Sequence, residues 1–241
     1  MSGKSLEGKR VAITGATSGI GLALTRRLSK DNCRILAHGR DKQKLDKLKK
    51  EIPSVGIFQA DVRQSNFASN FMDTAIGELG DCDVVINNAG TIWAGTVERA
   101  KPETISNLIL TNVEAPFQLA HRAVTYFKSR NAGHLINITS VLGIKTRIYS
   151  GIYAGTKHAL EALSDSLRQE IARTPIQISC IEPGMTLTDL HRDFKEHPMK
   201  AMGIENPLNP EDVVEAIVFA MTRNRNATVA NLVLLPREQK A

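Results

Sequence analysis

Seven short apolar runs recur along the 241-residue chain, and most are followed by a longer stretch in which apolar residues return every three or four positions. The runs fall at 10–14, 34–37, 56–60, 83–87, 134–139, 177–181 and 228–235. They have the length and apolar content of strands covered on both faces. The segments 19–30, 42–51, 65–78, 102–129, 151–173 and 210–223 read as helices with one apolar face. This alternation predicts an α/β fold, a doubly wound parallel sheet of about seven strands with helices on both faces. Ligands of such a sheet collect at the carboxyl ends of its strands. Here those ends are Thr14, Asp61, Asn87, Ser140 and Glu182.

No Pro- or Gly-rich run, low-complexity segment or internal repeat breaks the alternation, so residues 1–241 read as a single domain. A hydrophobic content of 42% suits an ordinary folded core. No stretch approaches the roughly 18 apolar residues of a membrane span, and the N-terminal residues lack the apolar centre of a secretory signal. Cys33, Cys82 and Cys180 are isolated, which predicts buried free thiols in a reducing compartment and a cytoplasmic protein. The net charge of +6 raises the question of nucleic acid. Much of that charge lies at 40–50, where Asp and Leu interrupt the lysines at helical spacing, the pattern of a solvated helix face. With 5% aromatic residues there is little to stack bases on. The expected partner is a small molecule, not nucleic acid or membrane.

The chemistry enters at the strand ends. The first run leads into Thr14-Gly15-Ala16-Thr17-Ser18-Gly19-Ile20-Gly21 and then a helix. Glycines there permit close approach of a ligand to the backbone, and the helix N-terminus offers N–H groups to a pyrophosphate. The spacing is Gly-x3-Gly-x-Gly, not the better-known Gly-x-Gly-x2-Gly. The fourth run leads into Asn87-Asn88-Ala89-Gly90, and the fifth ends at Ser140, thirteen residues before Tyr153. Lys157 lies one helical turn after the tyrosine and on its face. Its charge is expected to draw the tyrosine down from a pKa of about 10. Tyrosine could then exchange a proton with an alcohol oxygen held by Ser140 while a hydride moves at the attached carbon.

Together these residues resemble the classical short-chain dehydrogenase/reductase family. Its TGxxxGxG turn matches residues 14–21 and its NNAG motif residues 87–90. Its catalytic serine, tyrosine and lysine match Ser140, Tyr153 and Lys157, and its asparagine matches Asn112 in Thr111-Asn-Val-Glu-Ala-Pro116. Pro183-Gly184 and Thr188 match the element after the sixth strand, so the pattern spans nearly the whole chain. The resemblance implies a Rossmann-type fold and hydride transfer between a nicotinamide and a carbonyl carbon. In the reducing direction Tyr153 would be the general acid and Ser140 would fix the oxygen. Lys157 would tune the tyrosine and hold the ribose, and the Asn112 backbone would bind a water linking Lys157 to solvent. Cofactor contacts are implied for Gly15, Thr17, Ser18, Gly19, Ile20 and Gly21, for Asp61 and Val62 at the adenine, and for Asn88, Ala89 and Gly90. Tyr153, Lys157, Pro183, Gly184 and Thr188 complete that set.

Cofactor choice should be set after the second strand, where Leu36-Ala-His38-Gly39-Arg40 carries no carboxylate. Arg40, with His38 and the Ser18 hydroxyl nearby, favours a 2′-phosphate, hence NADP(H). His121, His134, His158 and His191 are scattered without a metal-binding spacing, so no catalytic metal is expected. The substrate lining is expected from Trp93, Leu142, Arg147, Tyr149, Met185 and Arg192. Residues 185–207, with His191, Arg192, Lys195, His197 and Lys200, read as a short lid suited to a compact, polar or anionic aldehyde or ketone, or the matching alcohol. The ending Leu232-Val-Leu-Leu-Pro236-Arg-Glu-Gln239, with residues 181–184, resembles the subgroup of small hydroxy acid dehydrogenases, sulfoacetaldehyde reductases and the clavulanate-pathway aldehyde reductase. Two other readings stand: a 3-hydroxy acid dehydrogenase working oxidatively, and a non-catalytic dinucleotide-binding regulatory protein. Ser140, Tyr153, Lys157 and Asn112 together argue against the second. The resemblance also implies a homotetramer or homodimer, paired through the helices at 102–129 and 151–173 and the last strand.

Overall fold

In a computed structural model, which describes residues 5–192, 194, 198–224 and 226–240, the seven apolar runs become seven strands. They are β1 (Arg10–Ile13), β2 (Arg34–Gly39), β3 (Gly56–Gln59), β4 (Val84–Asn87), β5 (Gly133–Ile138), β6 (Ile176–Pro183) and β7 (Asn231–Leu234). All pairings are parallel, in the order β3-β2-β1-β4-β5-β6-β7. The helices are α1 (Gly19–Lys30), α2 (Lys42–Glu51), α3 (Phe67–Leu79), α4 (Pro102–Ile109), α5 (Ala115–Arg130), α6 (Gly151–Glu170), α7 (Pro198–Ala201) and α8 (Pro210–Met221). Strand order reverses between β1 and β4, which opens a crevice above their carboxyl ends.

The strands look apolar throughout because alternate residues feed two cores. Val11, Ile13, Ile35 and Ile86 meet Leu24 and Leu28 of α1 and Val213 and Ile217 of α8. Ala12, Leu36, Val85 and Leu135 point the other way, against Phe71 and Met72 of α3 and Leu119 and Phe127 of α5. On α2 only Leu45 and Leu48 are buried, which leaves its lysines as the expected solvated face. The three cysteines are buried and free. No helix among the described residues is long and apolar enough to cross a membrane.

The expected helix over 102–129 is not continuous. A π-helical turn, Leu110–Glu114, separates α4 from α5. Pro116 has no N–H for the Asn112 carbonyl four residues back, so the α ladder cannot run through unchanged. The wide turn carries Asn112 inward, to 1% exposure. The last strand is shorter than expected, and α6 stops at Glu170, with Arg173 in a left-handed conformation three residues on.

Candidate active site

The turn after β1 is built for close approach. Gly15 and Gly19 have φ of 65° and 48°, values that an L side chain resists. Gly21 lies against the turn itself, where a Cβ would meet the Gly15 carbonyl oxygen at 2.2 Å. The Thr14 hydroxyl accepts from the backbone N–H of Asn88 and of Ala89, both at 3.0 Å. The Asn88 amide in turn donates to the carbonyls of Thr14 and Gly15, at 2.9 and 3.1 Å. The two motifs that lie far apart in sequence are thus one cradle. Ser18 ends extended without a side-chain cap, so the first N–H groups of α1 face the cleft.

Ser140, at the end of β5, accepts from the Leu142 N–H at 3.1 Å and donates to the Pro183 carbonyl at 3.5 Å. Tyr153 and Lys157 rise from α6 toward it and are buried. The Lys157 ammonium donates to the Ile138 carbonyl at 2.9 Å and lies 5.9 Å from the centre of the Tyr153 ring. Asn112 spans two walls. Its side chain holds both the N–H and the carbonyl of Thr91, at 2.9 and 2.8 Å, and donates to the Thr156 hydroxyl at 3.2 Å. Thr156 sits between the tyrosine and the lysine on α6, so Asn112 ties the loop after β4 to the helix bearing both.

Electrostatics overturn one expectation. Burial pushes the Tyr153 hydroxyl up to about 12, opposed only by its hydrogen bond with Ser140. Lys157 does not draw it down, because the ammonium is turned to Ile138 and is itself disfavoured by burial. Its pKa falls to about 8, with Glu161 and Cys180 acting against the fall.

A cleft of about 1240 Å³ runs from this trio, past the glycine turn, to the end of β2. There Arg40 and Lys44 line it, and neither forms an ion pair among the described residues. The Asp41 carboxylate nearby is occupied, accepting the Lys44 N–H at 3.2 Å as the cap of α2. His38 lines the same end but offers nothing to a phosphate. Its Nδ1 accepts from the Gly15 N–H at 3.2 Å, its Nε2 pairs with the Ala60 carbonyl at 3.0 Å, and burial lowers it to about 4. The expected ligand is instead a neutral brace beneath the turn.

The sequence model of the short chain dehydrogenases matches residues 9–198. The chain belongs to that family. An uncharacterised oxidoreductase of Staphylococcus aureus is 28% identical over 233 residues, covering 96% of this chain and 98% of the relative. One from Staphylococcus epidermidis is 27% identical over 231 residues, covering 95% and 97%. Among solved structures, the closed form of a serine dehydrogenase complexed with NADP+ matches with a TM-score of 0.89 at 28% identity, covering 96% of each chain. The serine dehydrogenase from Escherichia coli matches with a TM-score of 0.84 at 27% identity, covering 96% of this chain and 99% of that one. As a short chain dehydrogenase the protein is an oxidoreductase.

Other expected positions distribute unevenly around this short chain dehydrogenase's cleft. Leu142, Arg147, Tyr149, Met185, Pro183, Gly184, Thr188 and Arg192 line it, as do Val62 and Gly90. Trp93 does not. It lies in a small adjoining pocket with Val97, Tyr149 and Ile152, folded over Gly95, where a Cβ would meet the ring at 2.9 Å. Asp61 is also outside the lining, because Arg63 grips its carboxylate, with Nη2 at 2.6 Å, and holds it near a pKa of about 2. Arg63 takes its place in the wall, anchored to Asn107 at 2.7 Å. Gln239 also lines the cleft, accepting the Met185 N–H at 2.7 Å. Of the basic residues expected over the substrate, Lys195 and His197 lie outside the described residues.

Proposed function

We propose that this short chain dehydrogenase reduces small carbonyl compounds bearing an anionic group, with NADPH as the reductant. The observation that carries this reading is a buried tyrosine hydroxyl, held protonated beside Ser140, in a cleft that also contains Arg147, a cation with no ion pair among the described residues. When bound, NADPH supplies the hydride to the carbonyl carbon. The glycine turn with Asn88 and Ala89 would hold the cofactor's pyrophosphate end, Arg40 and Lys44 its 2′-phosphate, and Lys157 with Gly90 its nicotinamide end. The Asp41 carboxylate beside Arg40 accepts the Lys44 N–H as the cap of α2.

The chain's own part is proton and charge management. Ser140 donates to the carbonyl oxygen and stabilises charge developing there. Tyr153 gives that oxygen its proton, a role for which a raised pKa keeps it loaded at neutral pH. The Arg147 side chain is half-buried and forms no ion pair among the described residues, so an anionic substituent finds there a partner not already neutralised. Met185, Leu190, Arg192 and Met202 would cover the substrate end. The reverse reaction, oxidation of a 3-hydroxy acid, uses the same groups and is favoured by the likeness to serine dehydrogenase, but Tyr153 must then act as a base against its burial. Assembly as a homotetramer belongs to the same reading, since β7 is an edge strand with Val233 45% exposed.

The test is a panel of matched aldehydes, neutral and carboxylate- or sulfonate-bearing, followed by NADPH absorbance. The anionic members should show the lower KM, and Arg147→Ala should remove about 2 kcal/mol of that preference, roughly thirtyfold. Equal KM values for both classes in the wild type would leave the basic residues as a solvated rim.

A further inference from the structure

Behind Lys157 stands a group of polar side chains for which the reaction above has no use. Glu161 follows Lys157 by one turn of α6, Glu182 lies on β6 and Asn231 on β7. The Asn231 Nδ2 donates to Glu161 Oε2 at 2.9 Å and to Glu182 Oε1 at 2.5 Å, while its Oδ1 accepts from Arg168 at 3.0 Å. The arginine fixes the orientation of the amide, so the NH2 group must face the two acids. The other oxygens, Glu161 Oε1 and Glu182 Oε2, are buried and have no hydrogen-bond partner. Glu182 is 1% exposed. Glu161 also packs where the turn after Ser140 is bare of side chain: a Cβ on Gly143 would meet Glu161 Cγ at 3.1 Å and the Lys157 carbonyl at 3.3 Å.

Two acids that share one amide, each with a buried bare oxygen, cannot both be ionised cheaply. One proton between them resolves the conflict. Burial pushes Glu182 up, opposed by its hydrogen bond with Asn231 and aided by the neighbouring Glu161, and Glu182 is the more deeply buried of the two acids. Glu161 is partly exposed. Resting on the reading of Lys157 as the lysine of the reaction, we propose that Glu161 is a positioning residue. Its carboxylate, made solitary by a protonated Glu182, keeps the buried Lys157 cationic at neutral pH.

Among the described residues, the groups that act on the lysine offer no other negative charge. Lys157 is lowered by burial to about 8, and the largest opposing influence is Glu161, followed by Cys180. The Cys180 thiol is pushed up by burial to about 12 and is neutral below that. Tyr153, on the same helix, is likewise neutral. Arg168 faces Cys180 and Glu182 and adds only positive charge. The sign follows directly. An adjacent anion favours the ammonium, so removing it must lower the pKa of Lys157 further and discharge the lysine at lower pH.

The experiment is a titration of the Lys157 side chain by NMR, on cofactor-free protein with labelled lysine, in the wild type and in Glu161→Gln, Glu161→Asp and Glu182→Gln. Glu161→Gln should lower the Lys157 midpoint by about one pH unit. Glu161→Asp, which keeps the charge but draws it back by one methylene, should lower it less. Glu182→Gln, which imitates the protonated acid and can still accept from Asn231, should leave it in place. In turnover, the alkaline limb of kcat in Glu161→Gln should move down by the same interval, with the KM of the carbonyl substrate unchanged. An unmoved lysine midpoint in both Glu161 variants, with wild-type thermal unfolding, would overturn the proposal. So would a shift in Glu182→Gln as large as that in Glu161→Gln. A wild type that turns over no carbonyl with NADPH would refute the functional reading alone, since the titration is read without cofactor.

Discussion

Burial acts on Tyr153 and Lys157 in opposite senses: the phenol rises to about 12 and the ammonium falls to about 8. Reduction needs a protonated tyrosine and a charged lysine, and both are present below pH 7. The reduction rate should therefore be level from about pH 6 to 7 and fall through 8 as Lys157 discharges, whereas oxidation, which asks Tyr153 to accept a proton, should rise with pH. A pH series of kcat in both directions checks this; a reduction rate that climbs between pH 8 and 9 would contradict it. Tyr153→Phe should cost about 10²–10⁴-fold in kcat with cofactor binding near wild type. At the other end of the cleft Arg40 forms no ion pair among the described residues. Arg40→Asp should reverse the preference for NADPH over NADH, measured as the ratio of kcat/KM. An unchanged ratio would pass the role to Lys44 or Ser18, since both nitrogens of His38 are engaged in bracing the turn.

At the scale of elements, the meeting of α1 with the turn before it depends on a missing side chain. Gly21→Ala places a methyl group on the Gly15 carbonyl oxygen, which is backbone and cannot swing aside. The helix must back away, so cofactor Kd should rise at least tenfold and the unfolding temperature should fall; calorimetry and NADPH titration read the two separately. Such local features were legible in the sequence, because glycines, strand ends and the Tyr–Lys spacing act over a few residues. The break between α4 and α5 was only half legible. Pro116, which lacks an N–H, is visible in the sequence, but the inward turn of Asn112 is decided by its three hydrogen bonds to Thr91 and Thr156, 21 and 44 residues away. Trp93 was assigned to the substrate because it follows the NNAG turn. The bare backbone of Gly95 let the ring fold the other way.

Across the whole molecule, the seven strands and the helices on both faces of a parallel sheet were readable from the apolar pattern, since each run is short and buried and most are followed by a helix. The charge balance within the site was not. Whether Lys157 lowers Tyr153 depends on how deeply both are buried and where the ammonium points, and neither is written in the spacing. Contacts between segments distant in sequence also left no local trace. Gln239 reaches Met185 across 54 residues, and Glu238 accepts from the N–H groups of Glu205 and Asn206, at 2.6 and 3.0 Å. Thr186 pairs with Leu208, so these contacts grip both roots of the segment beyond β6. Replacing Glu238 and Gln239 together by Ala should raise the KM of the carbonyl substrate about tenfold while leaving cofactor KM and unfolding temperature close to wild type. A fall in cofactor affinity equal to that for substrate would mean that the contacts support the whole cleft instead.

That arrangement has a consequence for the order in which the protein becomes competent. A growing chain has placed the nucleotide turn by residue 21 and the reacting trio by residue 157, yet the Met185 N–H has no side chain to accept it until residue 239 has been made. Chemistry is thus encoded early and admission late. Residues 235–240, which add no strand among the described residues and no reacting group, are where a change in what enters the cleft would cost the rest of the enzyme least.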